Sequence, residues 1–195
     1  MIDKKHITGL ILSGGKSSRM GTDKGFLSLN GKPFMQYSID ALKPLVSEII
    51  IVSDHTAHDA LNYKRVSDNI KNAGPVAGIA AGLEASKTVY NLVLSCDIPL
   101  IKTSILEKLI QNMDTDFDII QIESNNKSMP LIALYHKRCA PIFKNLVIND
   151  ERRLRVAVNT CKVKNVVLNT EEEQLSTMNV NTQEELKQLK DAFNH

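Results

Sequence analysis

The sequence has few cysteines, little net charge and only a short apolar run near its start, and each shortage argues against a class of protein. The three cysteines, Cys96, Cys139 and Cys161, lack the paired spacing of a zinc site and the framework of a disulfide-stapled secreted domain. The formal net charge of +2 gives no general reason to expect nucleic acid or an anionic membrane as a partner. We therefore expect reduced thiols, and any anionic ligand must be held by local groups.

The apolar run at residues 7–12 is much shorter than a signal-peptide core or a membrane-spanning helix. Hydrophobic residues make up 43% of the 195 residues and charged residues 24%, which is the usage of a globular protein with enough chain to bury a core. No internal repeat or low-complexity segment divides the chain. We expect a cytoplasmic protein that folds as a single domain over residues 1–195.

Short β-branched segments alternate with longer segments of helical spacing, which predicts an α/β fold. The expected strands are residues 7–12, 48–52, 91–95, 118–122, 131–135 and 163–168. The expected helices are residues 34–42, 76–85, 104–112, 140–147, 151–158 and 182–193. Because the runs Leu10-Ile11-Leu12 and Ile49-Ile50-Ile51-Val52 have no polar residue, both faces of the sheet should be covered and its strands mostly parallel. The predicted fold is a three-layer, doubly wound, Rossmann-like α/β sheet.

Polar residues follow directly after the predicted strands, at the sheet edge where ligands of doubly wound folds bind. These segments are Ser13-Gly14-Gly15, Ser53-Asp54, Ser67-Asp68 and Ser95-Cys96-Asp97. The functional site is therefore expected at this edge.

Residues 12–24 follow the first strand and contain three glycines and three cationic residues. This composition fits a polyphosphate, because glycines let backbone N–H groups form an anion-binding nest while Arg19 and Lys24 neutralise charge. A plain strand-to-helix turn with solvated cations is the alternative. A Walker A loop is excluded because Leu10 stands where that motif needs glycine, and the dinucleotide pattern is excluded because two of the glycines are adjacent.

The run Leu-Ser-Gly-Gly-Lys-Ser-Ser-Arg-Met-Gly-Thr-Asp-Lys at residues 12–24 resembles the signature of nucleotidyltransferases that act on sugar phosphates and cofactors. It is most similar to the molybdenum cofactor guanylyltransferases, which share the Gly-Gly pair and the Asp-Lys ending. The Asn-Gly-Lys-Pro segment at residues 30–33 lies where that family turns into its first long helix. The resemblance implies catalytic roles for Arg19 and Lys24, and nucleotide binding by Leu12, Ser13, Gly14, Gly15 and Lys24.

Asp97 follows the predicted strand at residues 91–95 and precedes Ile98-Pro99. One carboxylate opposite a triphosphate suffices for Mg²⁺, which completes its shell with phosphate oxygens and water. A turn aspartate bonded to its own backbone is the alternative. The resemblance implies that Asp97 binds the metal and nucleotide and acts in catalysis, since the family's metal-binding aspartate has this Cys-Asp-x-Pro context. It also assigns nucleotide contact to Asp68, with Asp54 as a rival.

Three further segments each leave two interpretations open. Glycine-rich residues 74–78 permit either close approach of a ligand or tight packing of a helix on the sheet. The charge run at residues 150–155 is either an anion site or a solvated helix surface. The Asn-Val-Asn-Thr segment at 179–182 either contacts a substrate or caps the last helix. The resemblance implies that an acceptor binds Arg152, Arg153, Asn179 and Asn181 in the C-terminal half, with the nucleotide in the N-terminal half.

The activity implied by the resemblance is transfer of GMP from GTP to molybdopterin, with release of pyrophosphate and with Mg²⁺ as cofactor. A phosphate nucleophile is already an anion, so no Ser-His pair or nucleophilic cysteine is needed. Two alternatives remain: a cytidylyl- or sugar-phosphate nucleotidyltransferase, and a non-catalytic nucleotide-binding cofactor carrier. Proteins of cofactor biosynthesis and acceptor molybdoenzymes are further candidate partners, and neither nucleic acid nor a membrane is expected.

Overall fold

Strands and helices alternate along the chain in the computed structural model, which describes residues 4–14, 24–67 and 74–193. The strands are β1 (Ile7–Leu12), β2 (Ser28–Leu29), β3 (Lys32–Pro33), β4 (Glu48–Val52), β5 (Lys64–Val66), β6 (Tyr90–Ser95), β7 (Ile119–Ser124), β8 (Lys127–His136) and β9 (Val163–Val167). The α-helices are α1 (Phe34–Leu42), α2 (Gly74–Ala85), α3 (Thr103–Gln111), α4 (Cys139–Ile148), α5 (Leu154–Asn159), α6 (Glu171–Ser176) and α7 (Gln183–Phe193). Short 3₁₀ helices cover Lys4–His6, Lys24–Phe26 and Thr56–Leu61.

Seven of these strands form one sheet in the order β5-β4-β1-β6-β8-β7-β9. Strand β8 runs antiparallel to its neighbours β6 and β7, whereas the other pairings in the sheet are parallel. In the centre of the sheet Leu10 of β1 lies opposite Ile50 of β4 and Val93 of β6. The prediction of a mostly parallel α/β sheet is confirmed.

The sheet is covered on both faces, because the side chains of β1 alternate between two apolar clusters. Ile7 and Ile11 pack with residues of α1 and α3 on one face. Leu10 and Leu12 pack with residues of α2, α4 and α5 on the other. A fully buried Leu or Ile contributes about 1.5–3 kcal/mol, so the apolar residues of β1 stabilise the contact between all three layers.

Helix α2 places two glycines, Gly78 and Gly82, against the sheet. A Cβ atom added at Gly78 would lie 3.6 Å from side-chain atoms of Leu12 and Val52, an ordinary contact distance. At Gly82 it would lie 3.0 Å from Leu10 Cδ1 and 3.1 Å from Val52 Cγ2. Tight packing on the sheet therefore accounts for Gly82, whereas at Gly78, in the predicted glycine-rich segment, the sheet leaves room for a Cβ atom.

The substitution Gly82→Val is expected to lower the free energy of unfolding by about 1–3 kcal/mol, because a branched side chain would overpack the contact with Leu10 and Val52. Urea denaturation followed by circular dichroism measures this change. The matched variant Gly78→Ala should not destabilise, since its Cβ fits and alanine favours a helix by up to about 1 kcal/mol. Equal stability of Gly82→Val and the wild type would show that α2 can move away from the sheet.

Several element boundaries differ from the predictions, each for a local reason. The helix expected at residues 151–158 begins only at Leu154, because Arg153 has extended backbone angles. Helix α6 was missed because its charged sequence lacks an apolar stripe, although Thr170 caps it by accepting from the Glu173 N–H.

Within the described ranges, every helix is too short or too polar to cross a bilayer.

Candidate active site

Backbone hydrogen bonds beyond the strand ends align four neighbouring strands at one edge of the sheet. The N–H of Ser13 donates to Val52 O at 2.9 Å, and the N–H of Cys96 donates to Leu12 O at 3.0 Å. The N–H of Ser53 donates to Val66 O, also at 2.9 Å. The polar residues that follow β1, β4, β5 and β6 therefore meet at the carboxyl edge, as the sequence predicts.

The start of the glycine-rich loop is held rigidly beside the end of β6. Ser13 is fully buried, and its Oγ accepts a hydrogen bond from Cys96 Sγ at 3.4 Å. Leu12 packs beneath it in the core. At Gly14 the surroundings change, since a Cβ atom there would meet no heavy atom within 4 Å. The backbone therefore leaves the core at Gly14 and faces open space at the sheet edge.

Asp97 lies immediately after this junction and is only 7% exposed. Its backbone oxygen accepts a hydrogen bond from the N–H of Val180 at 2.8 Å. Val180 is itself buried, in a small cluster with Leu29, Phe34 and Leu186. The sheet edge is thereby tied to the segment that contains Asn179 and Asn181, which are distant in sequence. The structure thus brings the predicted metal ligand next to part of the predicted acceptor site.

Thr182 and Glu185 form a reciprocal cap at the start of α7. The N–H of Glu185 donates to Thr182 Oγ1 at 3.1 Å, while Glu185 Oε2 accepts from the N–H groups of Thr182 at 3.0 Å and Asn181 at 2.6 Å. The predicted helix cap is confirmed, with Thr182 as the capping side chain. The cap also fixes the backbone at Asn181.

A cavity of about 440 Å³, here called the hairpin cavity, opens beside Asp97. Asn179 lines it, as does Ile98, the residue that follows Asp97. Its other lining residues are Ser124, Asn125, Lys127, Ser128, Met129, Pro130, Leu131, Ile132, Leu154, Gln174, Thr177 and Met178. The volume suits a small organic molecule, and the lining residues are polar and apolar in equal number.

Sequence reasoning missed most of the hairpin cavity, although one signal was present. Strands β7 and β8 are joined by Asn125 and Asn126, which both have positive φ, at 51° and 58°. Asparagine tolerates this conformation, and a pair of such residues between strands is typical of a two-residue hairpin turn. The Asn-Asn pair could therefore have been used to predict that the two strands form a hairpin. It gives no indication of the cavity that the hairpin lines.

Arg152 and Arg153 lie in the loop that precedes α5, not within a helix as predicted. Each pairs with a nearby carboxylate, Arg152 with Asp150 at 2.7 Å and Arg153 with Glu151. The hydrogen bond from the Arg153 guanidinium lowers the pKa of Glu151 to about 2. The loop approaches the start of α2, because a Cβ added at Gly74 would lie 3.7 Å from the Arg152 carbonyl oxygen. It therefore lies between α2 and the hairpin cavity, whose wall includes the next residue, Leu154.

Part of the predicted nucleotide site falls outside the described residues, namely Gly15, Arg19 and Asp68. Lys24 begins the 3₁₀ helix Lys24–Phe26, just after the glycine-rich loop. Asp54, the rival of Asp68, is exposed beyond the end of β4.

The acidic groups of the site suit a metal that is shared with a substrate. Among residues 4–14, 24–67 and 74–193, no group of three or more His, Cys, Asp or Glu side chains is arranged to hold a metal ion. Asp97 could supply one carboxylate ligand, and a hard cation such as Mg²⁺ would take its other ligands from phosphate and water. The residues present therefore fit a divalent cation that is bound jointly by Asp97 and by the phosphate groups of a substrate.

Comparison with known proteins identifies the family. The family model described as the MobA-like NTP transferase domain matches residues 9–178, which include the strand ends, Asp97 and nearly all of the hairpin cavity. The chain belongs to the MobA-like NTP transferase family. Its similarity to the two relatives described next covers more than nine tenths of each chain, so the match is not confined to the glycine-rich loop.

Two relatives of this MobA-like chain carry related names. A probable molybdenum cofactor guanylyltransferase from Flavobacterium johnsoniae is 38% identical over 184 residues, which cover 94% of this chain and 96% of the relative. A molybdenum cofactor guanylyltransferase from Vibrio vulnificus is 33% identical over 183 residues, which cover 92% of this chain and 93% of the relative. The crystal structure of molybdopterin-guanine dinucleotide biosynthesis protein A from Archaeoglobus fulgidus has the same fold, with a TM-score of 0.82 and 21% sequence identity. The superposition covers 96% of this chain and 98% of the Archaeoglobus chain.

Proposed function

We propose that this protein transfers GMP from GTP to molybdopterin and releases pyrophosphate, forming the guanine dinucleotide form of the molybdenum cofactor. The observation that carries the proposal is the position of Asp97, a buried acidic residue next to both the end of β1, where the glycine-rich loop starts, and the hairpin cavity. The names of the two bacterial relatives support guanylyl transfer to this acceptor. The reaction needs a triphosphate on one side of Asp97 and an acceptor on the other.

The triphosphate belongs on the N-terminal side, over the ends of β1 and β4. Leu12, Ser13 and Gly14 lead into this side, and Gly14 leaves the core where its backbone faces open space. Gly15 and Asp68 complete the proposed nucleotide-binding set. Backbone N–H groups of a glycine-rich turn can face phosphate oxygens without a side chain in the way.

In the proposed reaction an acceptor phosphate oxygen forms a bond to the α-phosphorus of GTP as the bond from that phosphorus to the β-phosphate oxygen breaks. Lys24 and Arg19 bind phosphate oxygens and neutralise the charge that develops on pyrophosphate. Asp97 holds the divalent cation, proposed to be Mg²⁺, and the cation would supply Lewis-acid charge neutralisation. Because the nucleophile is an anion, the protein's main tasks are alignment and charge neutralisation.

The acceptor belongs in the hairpin cavity of the C-terminal half. Asn179 lines the cavity, and the Asp97–Val180 hydrogen bond holds this wall beside the metal ligand. Met129 and Met178 offer polarisable apolar surface to a ring system, and Lys127 offers a cation to an acidic group. Arg152, Arg153 and Asn181 lie at neighbouring positions and complete the proposed acceptor-binding set.

The double substitution Arg152→Ala and Arg153→Ala is expected to raise the KM for molybdopterin about tenfold, because charge-assisted bonds to an anion are lost. The KM for GTP should change less than twofold. Steady-state pyrophosphate release measures both constants. The control Arg155→Ala removes an exposed arginine from α5 and should leave both constants unaltered. An unchanged acceptor KM in the double variant would remove both arginines from the acceptor site.

A nucleotide panel tests the proposed function itself. Purified protein is incubated with Mg²⁺, molybdopterin and each of GTP, CTP, ATP and UTP, and pyrophosphate release is measured together with the dinucleotide product. Turnover that is fastest with GTP is the expected result. A preference for CTP would identify a cytidylyltransferase, and tight binding without pyrophosphate release would identify a cofactor carrier.

We also propose the cytoplasm as the place of this reaction, with residues 1–195 acting as a single domain. All three cysteines are thiols, which fits a reducing compartment. Proteins of cofactor biosynthesis and acceptor molybdoenzymes are proposed partners, because the product has to be passed on. Co-purification with such proteins in the presence of GTP is the corresponding measurement.

A further inference from the structure

His58 is a fully buried histidine in the 3₁₀ helix Thr56–Leu61, which follows the end of β4. Its Nδ1 shares a 2.9 Å hydrogen bond with Ser53 Oγ. The backbone N–H of His55 donates to the same hydroxyl oxygen at 3.1 Å. Since the N–H of Ser53 extends the β4–β5 ladder, His58 is fixed to the edge of the sheet where the nucleotide is proposed to bind.

The His58 ring also holds the turn that follows the glycine-rich loop. Phe26 stacks on it with 4.6 Å between ring centroids and 18° between ring planes. Phe26 is 47% exposed, so the stack lies at the surface and not in one of the large apolar clusters. The next residue is held separately, because the N–H of Phe34 donates to Leu27 O at 2.8 Å. Loss of His58 would therefore loosen Phe26 while the chain stays anchored at Leu27.

We propose that His58 is a positioning residue for Lys24. Lys24 and Phe26 belong to one three-residue turn, so the stack on His58 helps to fix the backbone at Lys24. An error of about 1 Å in such a group is enough to weaken its contact with a reacting phosphate. The inference rests on the proposed function, because it assumes a triphosphate at Lys24.

The residue type at position 58 supports this role. A buried imidazole costs desolvation that a leucine or phenylalanine would avoid. Histidine, however, combines a flat ring for Phe26 with a ring nitrogen for Ser53, and His58 makes both contacts. It therefore couples the turn at Lys24 to the end of β4 through two different interactions.

A double-mutant cycle on nucleotide affinity tests the proposal. Wild type, His58→Ala, Lys24→Ala and the double variant are titrated calorimetrically with GTP and Mg²⁺ in the absence of acceptor. His58→Ala should weaken GTP binding about tenfold in the wild-type background and less than twofold in the Lys24→Ala background. An equal loss in both backgrounds overturns the proposal, because His58 would then act independently of Lys24.

Two further variants keep the test decisive if His58→Ala does not fold. Phe26→Ala removes the other partner of the stack at a half-exposed position and should reproduce the tenfold loss. His58→Phe keeps a flat ring for Phe26 but loses the bond to Ser53 and should recover only part of the tenfold loss. In all folded variants the KM for molybdopterin should stay unchanged. Wild-type affinity in Phe26→Ala contradicts the proposal.

The wild-type titration separates failure of this proposal from failure of the proposed function. If the wild type prefers another triphosphate, the guanylyl assignment fails and the cycle is run with the preferred nucleotide. If the wild type binds no triphosphate, both fail together. If the wild type binds GTP and the cycle shows no coupling between His58 and Lys24, only the proposed role of His58 is rejected, and the proposed function stands.

Discussion

Replacing Asp97 by asparagine is expected to lower kcat for pyrophosphate release by about a thousandfold. Asparagine keeps the shape of the side chain, and the backbone bond from Val180 to residue 97 can still form. It removes the negative charge that would hold the cation against the triphosphate, and loss of one electrostatic stabiliser costs about 10²–10³ in kcat. Turnover is measured by pyrophosphate release across a series of Mg²⁺ concentrations.

The control for this prediction is Asp116→Asn, which neutralises an exposed carboxylate before β7, at the opposite edge of the sheet. It should keep wild-type turnover. The urea midpoint of Asp97→Asn should not fall, because no packing is lost. Normal turnover in Asp97→Asn at ordinary Mg²⁺ concentrations would rule out Asp97 as the metal ligand.

Replacing Lys24 by alanine is expected to lower kcat/KM for GTP by about a hundredfold or more. The ammonium group is proposed to neutralise charge on the triphosphate and on the leaving pyrophosphate, so its loss affects both nucleotide binding and bond breaking. The KM for molybdopterin should change little, because the acceptor is proposed to bind on the other side of Asp97. Initial rates at varied GTP and at varied molybdopterin separate these constants.

The matched control is Lys87→Ala, which removes an exposed lysine from the turn before β6, at the amino end of the parallel strands. It should leave all constants unchanged. Lys24→Arg should recover part of the lost activity, since it restores the charge with a different shape. If Lys24→Ala kept wild-type kcat/KM for GTP, the glycine-rich loop would have to neutralise the triphosphate through other groups.

The central part of the fold could be predicted because its signals are local. Segments 7–12, 48–52 and 34–42 coincide with β1, β4 and α1, since continuous apolar runs and a clear helical period leave little choice. Predicted helix boundaries were wrong where a side chain accepts a backbone N–H hydrogen bond near the end of a helix. Glu151 accepts from the backbone N–H of Arg153 at 2.9 Å, and this local bond holds Arg153 outside the helix that its neighbours were expected to form.

The candidate site also has a part that local sequence signals predict and a part that they do not. The nucleotide loop is a contiguous motif after a strand, and Asp97 follows another strand, so their common location at the carboxyl edge follows from parallel pairing. The contacts of His58 with Phe26 and of Val180 with Asp97 join segments that are far apart in sequence. No local pattern predicts such pairs, because they depend on how the loops pack after the sheet has formed.

By itself, then, the sequence determined the α/β class and the resemblance to nucleotidyltransferases, since period, composition and contiguous motifs are properties of the unfolded chain. Only the tertiary structure decided that α2 packs tightly on the sheet at Gly82, that a cavity is lined by residues of the β7–β8 hairpin, and that Asp97 lies next to both this cavity and the end of β1. These features arise when distant segments exclude water together, and their distances exist only in the folded chain.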